Sequence, residues 1–590
     1  MAPAVRWVTP ALIAATFAAL AWWTWGAWPD AAVDFGQQAY LPWRVAEGEV
    51  LYRDLAFFNG PLSVQINALL FNVFGPHLRT LFLANLAVLA AVTWLAHGLL
   101  LAVADRTTAL VGSLFLLVVS GFGHLVTIGN YTFVAPYAHE LTHGMLLVLA
   151  ALACMRQFRS GGQVRWLVAA GLLAGATVLT KAELSAAAVP ALLLDVGLTL
   201  AARNDRRRWS VLLAALVAPV AVAFLLQLRV MPAEEALWAV LGGWRVALRG
   251  DVADLPFFRR GLGVDDVGRS LGLLAGWTAR WLALAALAVA TGLMLQRFRP
   301  RSPRVETGVA VLAGLATMLW VWQSGLAWKH VARPLPLLAA GLLVTGLVLW
   351  RRTRDPVWIP RVSLALLALG LVGKMALNTR LHHYGFVLAL PAALLAVALL
   401  VHGLPLRTAR WGGQALVPRG VAVGAVLGLC AALLQVTAGH VAAKRVPVGQ
   451  GPDAFRGDAA AVYVNAAAGW LLEPQGGAPG PARTLAVLPE GAMVNLLTRR
   501  VNPTGYTTLM PTELRVFGEA AVLAAFQARP PDDIVVLHKD TSEFGARFFG
   551  KDYAPRLGAW LRANYRQVRQ AGAEPLTGDG YGVALWQRLR

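Results

Sequence analysis

Apolar residues in this chain gather in runs of about 15–24, each close to the length that carries a helix across a membrane core. In order they are Thr9–Trp25, Leu81–Val103, Thr107–Gly121, His139–Met155, Trp166–Thr180, Leu184–Ala201 and Ser210–Leu228. Leu271–Met294, Thr307–Val321, Pro334–Trp350, Val362–Ala376, Tyr384–Val401 and Val421–Val436 complete the series. The pattern predicts an all-α polytopic membrane domain with about thirteen transmembrane helices. Most connections between the runs are short. The first is long and polar, with Asp34–Gly75 at its centre. Beyond the last run the pattern changes. A Pro/Gly-rich stretch (Pro474–Pro481) precedes β-like runs at Thr484–Leu488, Asp533–His538 and Gly582–Gln587, with helical patterns near Thr512–Gln527 and Tyr553–Gln567. This reads as a small soluble α/β domain, so the division is 1–441 transmembrane, with a first external loop at 26–80, and 442–590 soluble.

Composition agrees. Of the 590 residues, 57% are hydrophobic and only 14% charged, far more apolar surface than a soluble protein of this size buries. The formal net charge of +21 suggests nucleic acid only until its distribution is read. Arginines cluster in alternate short loops: Arg156, Arg159 and Arg165; Arg203 and Arg206–Arg208; Arg297, Arg299, Arg301 and Arg304; Arg351, Arg352, Arg354 and Arg361; Arg407, Arg410 and Arg419. That is the signature of cytoplasmic loops. It places the N-terminus inside and, with an odd number of spans, the C-terminal domain outside, in a bacterial inner or plasma membrane, with membrane lipids as partners and no nucleic acid. Arg6 before the first apolar run allows a signal peptide, but removing that run breaks the charge alternation. Cys154 and Cys430 both fall in apolar runs and have no metal-ligand spacing. No solenoid repeat or P-loop is present.

The outward loops carry the unusual residues: Asp30, Asp34, Asp54, Asn59, His77, Asn130, Tyr131, Tyr137, Lys181, Glu183, Lys329, His330, Arg333, Arg380, His382, His383 and Tyr384. Ionisable groups at helix ends usually line a cavity, so the chemistry is expected on that face. The loop DFGQQAYLPWRVAEGEVLYRDLAFFNGPLSVQINALLFNVFG, with TKAE at Thr180–Glu183 and LHHYGF at Leu381–Phe386, resembles the GT-C glycosyltransferases that use polyprenyl-phosphate sugars. The likeness is to bacterial relatives of protein O-mannosyltransferases and of the lipid A aminoarabinose transferase. It implies that Asp34 is the catalytic base. Asp54 is a second acid or a structural turn residue. Where many members carry an Asp-Glu pair, Phe35 follows Asp34 here, and no β-trefoil domains are evident.

The implied reaction moves a sugar from a polyprenyl-phosphate donor to a hydroxyl of a lipid, glycan or protein acceptor, with inversion. Polyprenyl phosphate leaves as an anion, so one base and positive charge suffice, whereas glycoside hydrolysis divides the work between two carboxylates. Candidates for the phosphate clamp are Arg380 with His383, Lys329, Arg333 and Lys181. No cofactor is required by these motifs; the resemblance allows a divalent cation near the phosphate.

Two rival readings exist. A transporter or flippase for lipid-linked sugars shares the helices and cavity, but needs no reactive loop carboxylate and more naturally shows internal repeats. His139, Glu140 and His143 spell H-E-x-x-H, a zinc-protease pattern. Its best intramembrane third ligand, Asp195, lies roughly 10 Å from His143 along the membrane normal at 1.5 Å per residue. Histidines lining a polar cavity are the simpler interpretation. The Trp22, Trp23, Trp25 and Trp28 group reads as an interfacial belt, and His97 as a packing residue.

Overall fold

A computed structural model of the protein describes residues 4–205, 207–296, 303–473 and 483–589. The Pro474–Pro481 stretch and Arg206, Arg297, Arg299 and Arg301 lie outside the described residues.

Each apolar run forms helix. Among the described residues ten helices are long and apolar enough to cross a membrane, from Leu78–Val103 to Leu416–Ala443. The first helix, Ala4–Trp23, and the shorter apolar helices Arg106–Gly121 and Val164–Val178 correspond to the remaining runs. At 1.5 Å per residue, 15 residues reach only about 23 Å, less than a hydrocarbon core of about 30 Å. Close packing holds the bundle where side chains are smallest. A Cβ on Gly420 would meet the Ala310 carbonyl oxygen at 2.1 Å, and one on Gly424 the Gly314 oxygen at 2.0 Å. The helices Pro303–Gln323 and Leu416–Ala443 therefore touch backbone to backbone along a small-residue stripe.

The bundle has two chemically distinct ends. At one end arginines close the helix termini. Arg159 pairs with Asp195 at 2.5 Å, Arg419 and His402 hold Asp105, Arg361 donates to the Val103 carbonyl and Arg208 to that of Gly162. The opposite ends of the same helices carry Lys181, Lys374, Arg380 and the loop with Asp34.

After Ala443 the chain leaves the bundle. Strands β1 (Val446–Val448) and β2 (Phe455–Gly457) form a short antiparallel ribbon. Strands β3 (Leu485–Leu488), β4 (Asp533–Leu537), β5 (Tyr565–Gly572) and β6 (Gly582–Arg588) form a sheet of order β3-β4-β6-β5, with only β3 and β4 parallel. Both members of the parallel pair are buried along their whole length, as continuous apolar runs dictate. The helical pattern near Thr512–Gln527 is broken at Gly518, whose φ of 84° separates Pro511–Phe517 from Glu519–Ala528. The pattern at Tyr553–Gln567 is helix only over Pro555–Asn564 before it becomes β5.

This region does not stand apart from the bundle. The helix Phe35–Ala46 of the first loop packs on Ala492–Thr498 so closely that a Cβ on Gly36 would lie 2.2 Å from the Met493 nitrogen. Phe35, Tyr40, Met493, Val494 and Val535 share one hydrophobic core. The Tyr40 hydroxyl accepts from the Asn502 amide, the Ala56 amide donates to Gly505, and the Leu78 amide to Asp453.

Candidate active site

Asp34 owes its position to its neighbours in the chain. The Asp30 carboxylate accepts from the amides of Ala32 and Val33, each at 2.9 Å, and so is spent on a local turn. Asn130 clamps that turn from the next loop, accepting from the Asp30 amide and donating to the Val33 carbonyl. The chain must then enter the helix Phe35–Ala46 abruptly. Asp34 adopts φ 54° and ψ −61°, while the Phe35 amide donates back to Val33 at 2.6 Å. That is a γ-turn with its central residue in a rare, strained conformation, the kind of strain that concentrates at functional sites. Although Asp34 precedes the first helical residue, its side chain makes no capping hydrogen bond. The carboxylate is left for other work.

The C-terminal region supplies its partners. Glu490, two residues past β3, accepts the Asp34 amide hydrogen at 2.8 Å through one carboxylate oxygen. Its other oxygen meets Lys539, two residues past β4, at 3.1 Å. Both thus lie beyond the carboxyl ends of parallel strands, the usual location of a site on such a pair. Burial, then the Glu490 charge, push Asp34 up to about 8, against the pull of Lys539 and Lys181. Burial opposes the Lys539 charge, but Glu490 and, further off, Asp34 and Asp30 hold its pKa above the ordinary lysine value. Glu513, on the helix Pro511–Phe517, is also raised to about 8, chiefly by burial.

Around Asp34 stands an aromatic wall. Tyr131 packs on His383 with centroids 4.3 Å apart, and His383 on Tyr384 at 4.1 Å. Lys181 donates to the Tyr137 hydroxyl at 3.3 Å and lies over its ring. Lys374 lies over Tyr384 and pairs with Glu183. Burial holds the three tyrosines well above their ordinary pKa, and the Asp34 charge adds to this at each. They remain neutral.

Behind the wall is a cluster of cations with few anions. Arg380 donates to the Nδ1 of His383 at 3.2 Å, which fixes the imidazole proton on Nε2. Burial, reinforced by Arg380, keeps that ring neutral. The Arg380 Nε has no partner, and neither has that of Arg333, whose guanidinium otherwise donates to the Leu377 carbonyl. Arg333 lies within electrostatic reach of Arg380 and Arg269. His382 is pushed down to about 3 by burial and by Arg380, Lys329 and His330. Four of the sequence candidates, Arg380, His383, Lys329 and Arg333, therefore gather here. Lys181, expected among them, lies on the carboxylate side instead, against Tyr137.

Two local features are answered by their contacts. Asp54, read as a second acid or a turn residue, is engaged in its own turn. One oxygen accepts the Val50 amide, both bind Arg53, and that contact holds its pKa below the carboxylate range. A carboxylate so occupied serves the turn. The H-E-x-x-H pattern builds no zinc site. His139 has both ring nitrogens engaged by neutral amides, Nδ1 with Gln38 at 2.8 Å and Nε2 with Asn85 at 3.1 Å. Asp195, the third ligand such a site needs, is held by Arg159. Glu140 and His143 keep buried atoms without partners, but no group of three metal-ligating side chains exists among the described residues. Among the described residues these side chains are not grouped to hold a resident metal ion.

Sequence reasoning missed Glu490, Lys539 and Glu513 as candidates for the site. The only available signal for the first two was their place just after the two buried strands.

The sequence matches no known family description and no curated protein. Among solved structures, the chain is similar to the oligosaccharyltransferase of Archaeoglobus fulgidus in its apo form (14% identity, 95% of this chain and 72% of that one, TM-score 0.48). It is also similar to that organism's AglB in complex with an inhibitory peptide and dolichol-phosphate (13%, 90% and 70%, 0.46). A third likeness is to ArnT from Cupriavidus metallidurans bound to undecaprenyl phosphate (12%, 99% and 98%, 0.44). These are distant likenesses. The functional reading rests on the side chains above.

Proposed function

We propose that the protein is an inverting glycosyltransferase of the GT-C kind, moving a sugar from a polyprenyl-phosphate donor to an acceptor hydroxyl on the extracytoplasmic side of the membrane. The observation that carries this reading is Asp34: a carboxylate held in a strained turn, spared from capping and raised to about 8, at the same end of the bundle as a set of under-neutralised cations. A base with a pKa near the working pH takes a proton effectively. In the proposed step Asp34 accepts the proton of the acceptor hydroxyl. The oxygen attacks the anomeric carbon, and the bond from that carbon to the phosphate oxygen breaks with inversion. The electron pair leaves with the lipid phosphate, which departs as an anion facing Arg380, Arg333, Lys329 and the Nε2–H of His383. A guanidinium with an unused N–H suits forked phosphate contacts.

In this reading residues 1–441 form the transferase body and 442–590 an extracytoplasmic domain that completes the site through Glu490 and Lys539. The arginine-rich end faces the cytoplasm. Cysteines placed at the exposed positions Gly161 and Arg515, in a background lacking Cys154 and Cys430, should label from opposite sides of sealed vesicles. Labelling from one side overturns the orientation.

The clamp has its own test. Arg380→Ala should raise the donor concentration for half-maximal transfer on the order of tenfold, the value of one lost charge-assisted hydrogen bond. Arg380→Lys, which loses the fork but keeps the charge, should cost less. Unchanged donor use in both variants removes Arg380 from the site and leaves the donor class without its main support.

A further inference from the structure

The segment from Trp25 to Asp34 leads from the first helix into Phe35–Ala46, and it is held at close intervals. The Arg456 amide of β2 donates to the Gly26 carbonyl at 2.7 Å, and the Arg456 guanidinium to that of Trp25 at 3.0 Å. Lys444 closes the last long helix, Leu416–Ala443, and donates through Nζ to the Pro29 carbonyl at 2.6 Å. We propose that Lys444 is a positioning residue for Asp34: by pinning Pro29 it fixes the turn whose far end holds the carboxylate. What Asp34 does is taken from the transferase reading; where it is held is read from contacts alone.

Lys444 is only 3% exposed, and a lysine ammonium is rarely taken so far from water unless it is matched. Asp30 and Asp458 stand within its electrostatic reach and favour its charged form against burial. Gly129 lies against the same spot. A Cβ there would run into the Trp28 carbonyl oxygen and lie 2.8 Å from Lys444 Nζ and 3.1 Å from the His124 ring. The second outer loop and the end of the last helix are thus fitted around the Trp28–Pro29 backbone with no room for a methyl group.

Beyond Pro29 the chain has little slack. The Asp30 carboxylate accepts from the Ala32 and Val33 amides, and Asn130 joins the Asp30 amide to the Val33 carbonyl. Residues 30–33 therefore move as one piece, and a displacement at Pro29 is passed on to Asp34. A conformation as strained as that of Asp34, with φ 54°, persists only where its surroundings over-determine it. Lys444 is the restraint supplied by the last long helix, whereas Asn130 comes from the second outer loop and Glu490 from the C-terminal region.

The experiment uses the full chain in lipid nanodiscs, with isotope-labelled aspartate nitrogen. It reads the Asp34 amide by NMR as the signal that Asp34→Asn removes. Lys444→Met keeps most of the stem and loses the donor and the charge. It should displace or broaden that signal and lower kcat on the order of 10²-fold, the cost of misplacing a reacting group by about 1 Å, with the donor KM unchanged. Lys444→Arg, which keeps charge and donors, should restore much of both. Gly129→Ala presses on the same carbonyl without removing the lysine and should displace the Asp34 signal too, so the test stands even if Lys444→Met does not fold. Lys551→Met removes a similar lysine-to-carbonyl bond, to Leu576, and should change neither readout. An Asp34 signal unmoved in Lys444→Met or Gly129→Ala overturns the proposal. So does a displaced signal with kcat unchanged, or an equal loss in Lys551→Met. Displacement of Asp34 in a protein that transfers no sugar even as wild type would instead sink the transferase reading and leave the hold on the turn standing.

Discussion

Asp34→Asn should yield a protein that folds, binds polyprenyl phosphate and transfers almost no sugar. Asparagine tolerates positive φ at least as well as aspartate, so the γ-turn at 34 survives, and the amide hydrogen that Glu490 accepts belongs to the backbone. What disappears is the capacity to accept a proton. Loss of a general base costs on the order of 10²–10⁴-fold in rate. Donor binding should persist, because the cations at Arg380, Arg333 and Lys329 are untouched and a lipid phosphate gains nothing from a nearby anion. Asp34→Ala is the poorer variant, since alanine in that conformation adds backbone strain that confounds the reading. Transfer at the wild-type rate by Asp34→Asn, with true donor and acceptor, means that the base lies elsewhere.

The second large effect is a displacement of the pH profile. With Asp34 raised to about 8 by burial and by Glu490, its basic form is lost below that pH. Transfer should therefore rise as pH rises toward about 8 and level off above it. Glu490→Gln removes the negative neighbour and keeps an acceptor for the Asp34 amide, so the Asp34 pKa falls and the rise moves to lower pH. Lys539→Met removes a nearby positive charge, so the rise moves higher. A displacement of about one unit changes the rate on the rising limb roughly tenfold, in opposite directions for the two variants. The plateau of Glu490→Gln should also drop, because a less basic carboxylate is a weaker catalyst. A purely structural role for the pair predicts uniform losses with no displacement, and identical profiles in all three proteins would exclude Glu490 and Lys539 from the site.

How far the chain can be read without its structure depends on whether the signal is local. Hydrophobic runs are local, and each of them became helix. The buried strands β3 and β4 were equally plain, because LAVL and DIVVL are apolar throughout. Strand β5 was not. Its sequence YRQVRQAG is mostly exposed and gains its strand identity by pairing with β6, so its local pattern continues the helix before it. The division at the site follows the same rule. Asp34, Arg380 and His383 sit in distinctive local motifs. Glu490 lies 456 residues beyond Asp34, and nothing in the surrounding Pro-Glu-Gly marks it. Its role exists only once β3 runs beside β4 and the first loop docks against their ends. The H-E-x-x-H pattern illustrates the converse: a strong local signal whose first histidine, His139, is engaged by Gln38 and Asn85 arriving from other helices.

The most direct test of the central claim is one turnover of the purified protein in nanodiscs, with isotope-labelled polyprenyl-phosphate sugar, a hydroxyl-bearing acceptor and NMR detection of the anomeric centre. The account predicts a new glycosidic bond of inverted configuration with one equivalent of polyprenyl phosphate released, and no such product from Asp34→Asn. A product of retained configuration, or movement of the intact donor across the membrane with no glycosidic bond formed, would contradict it.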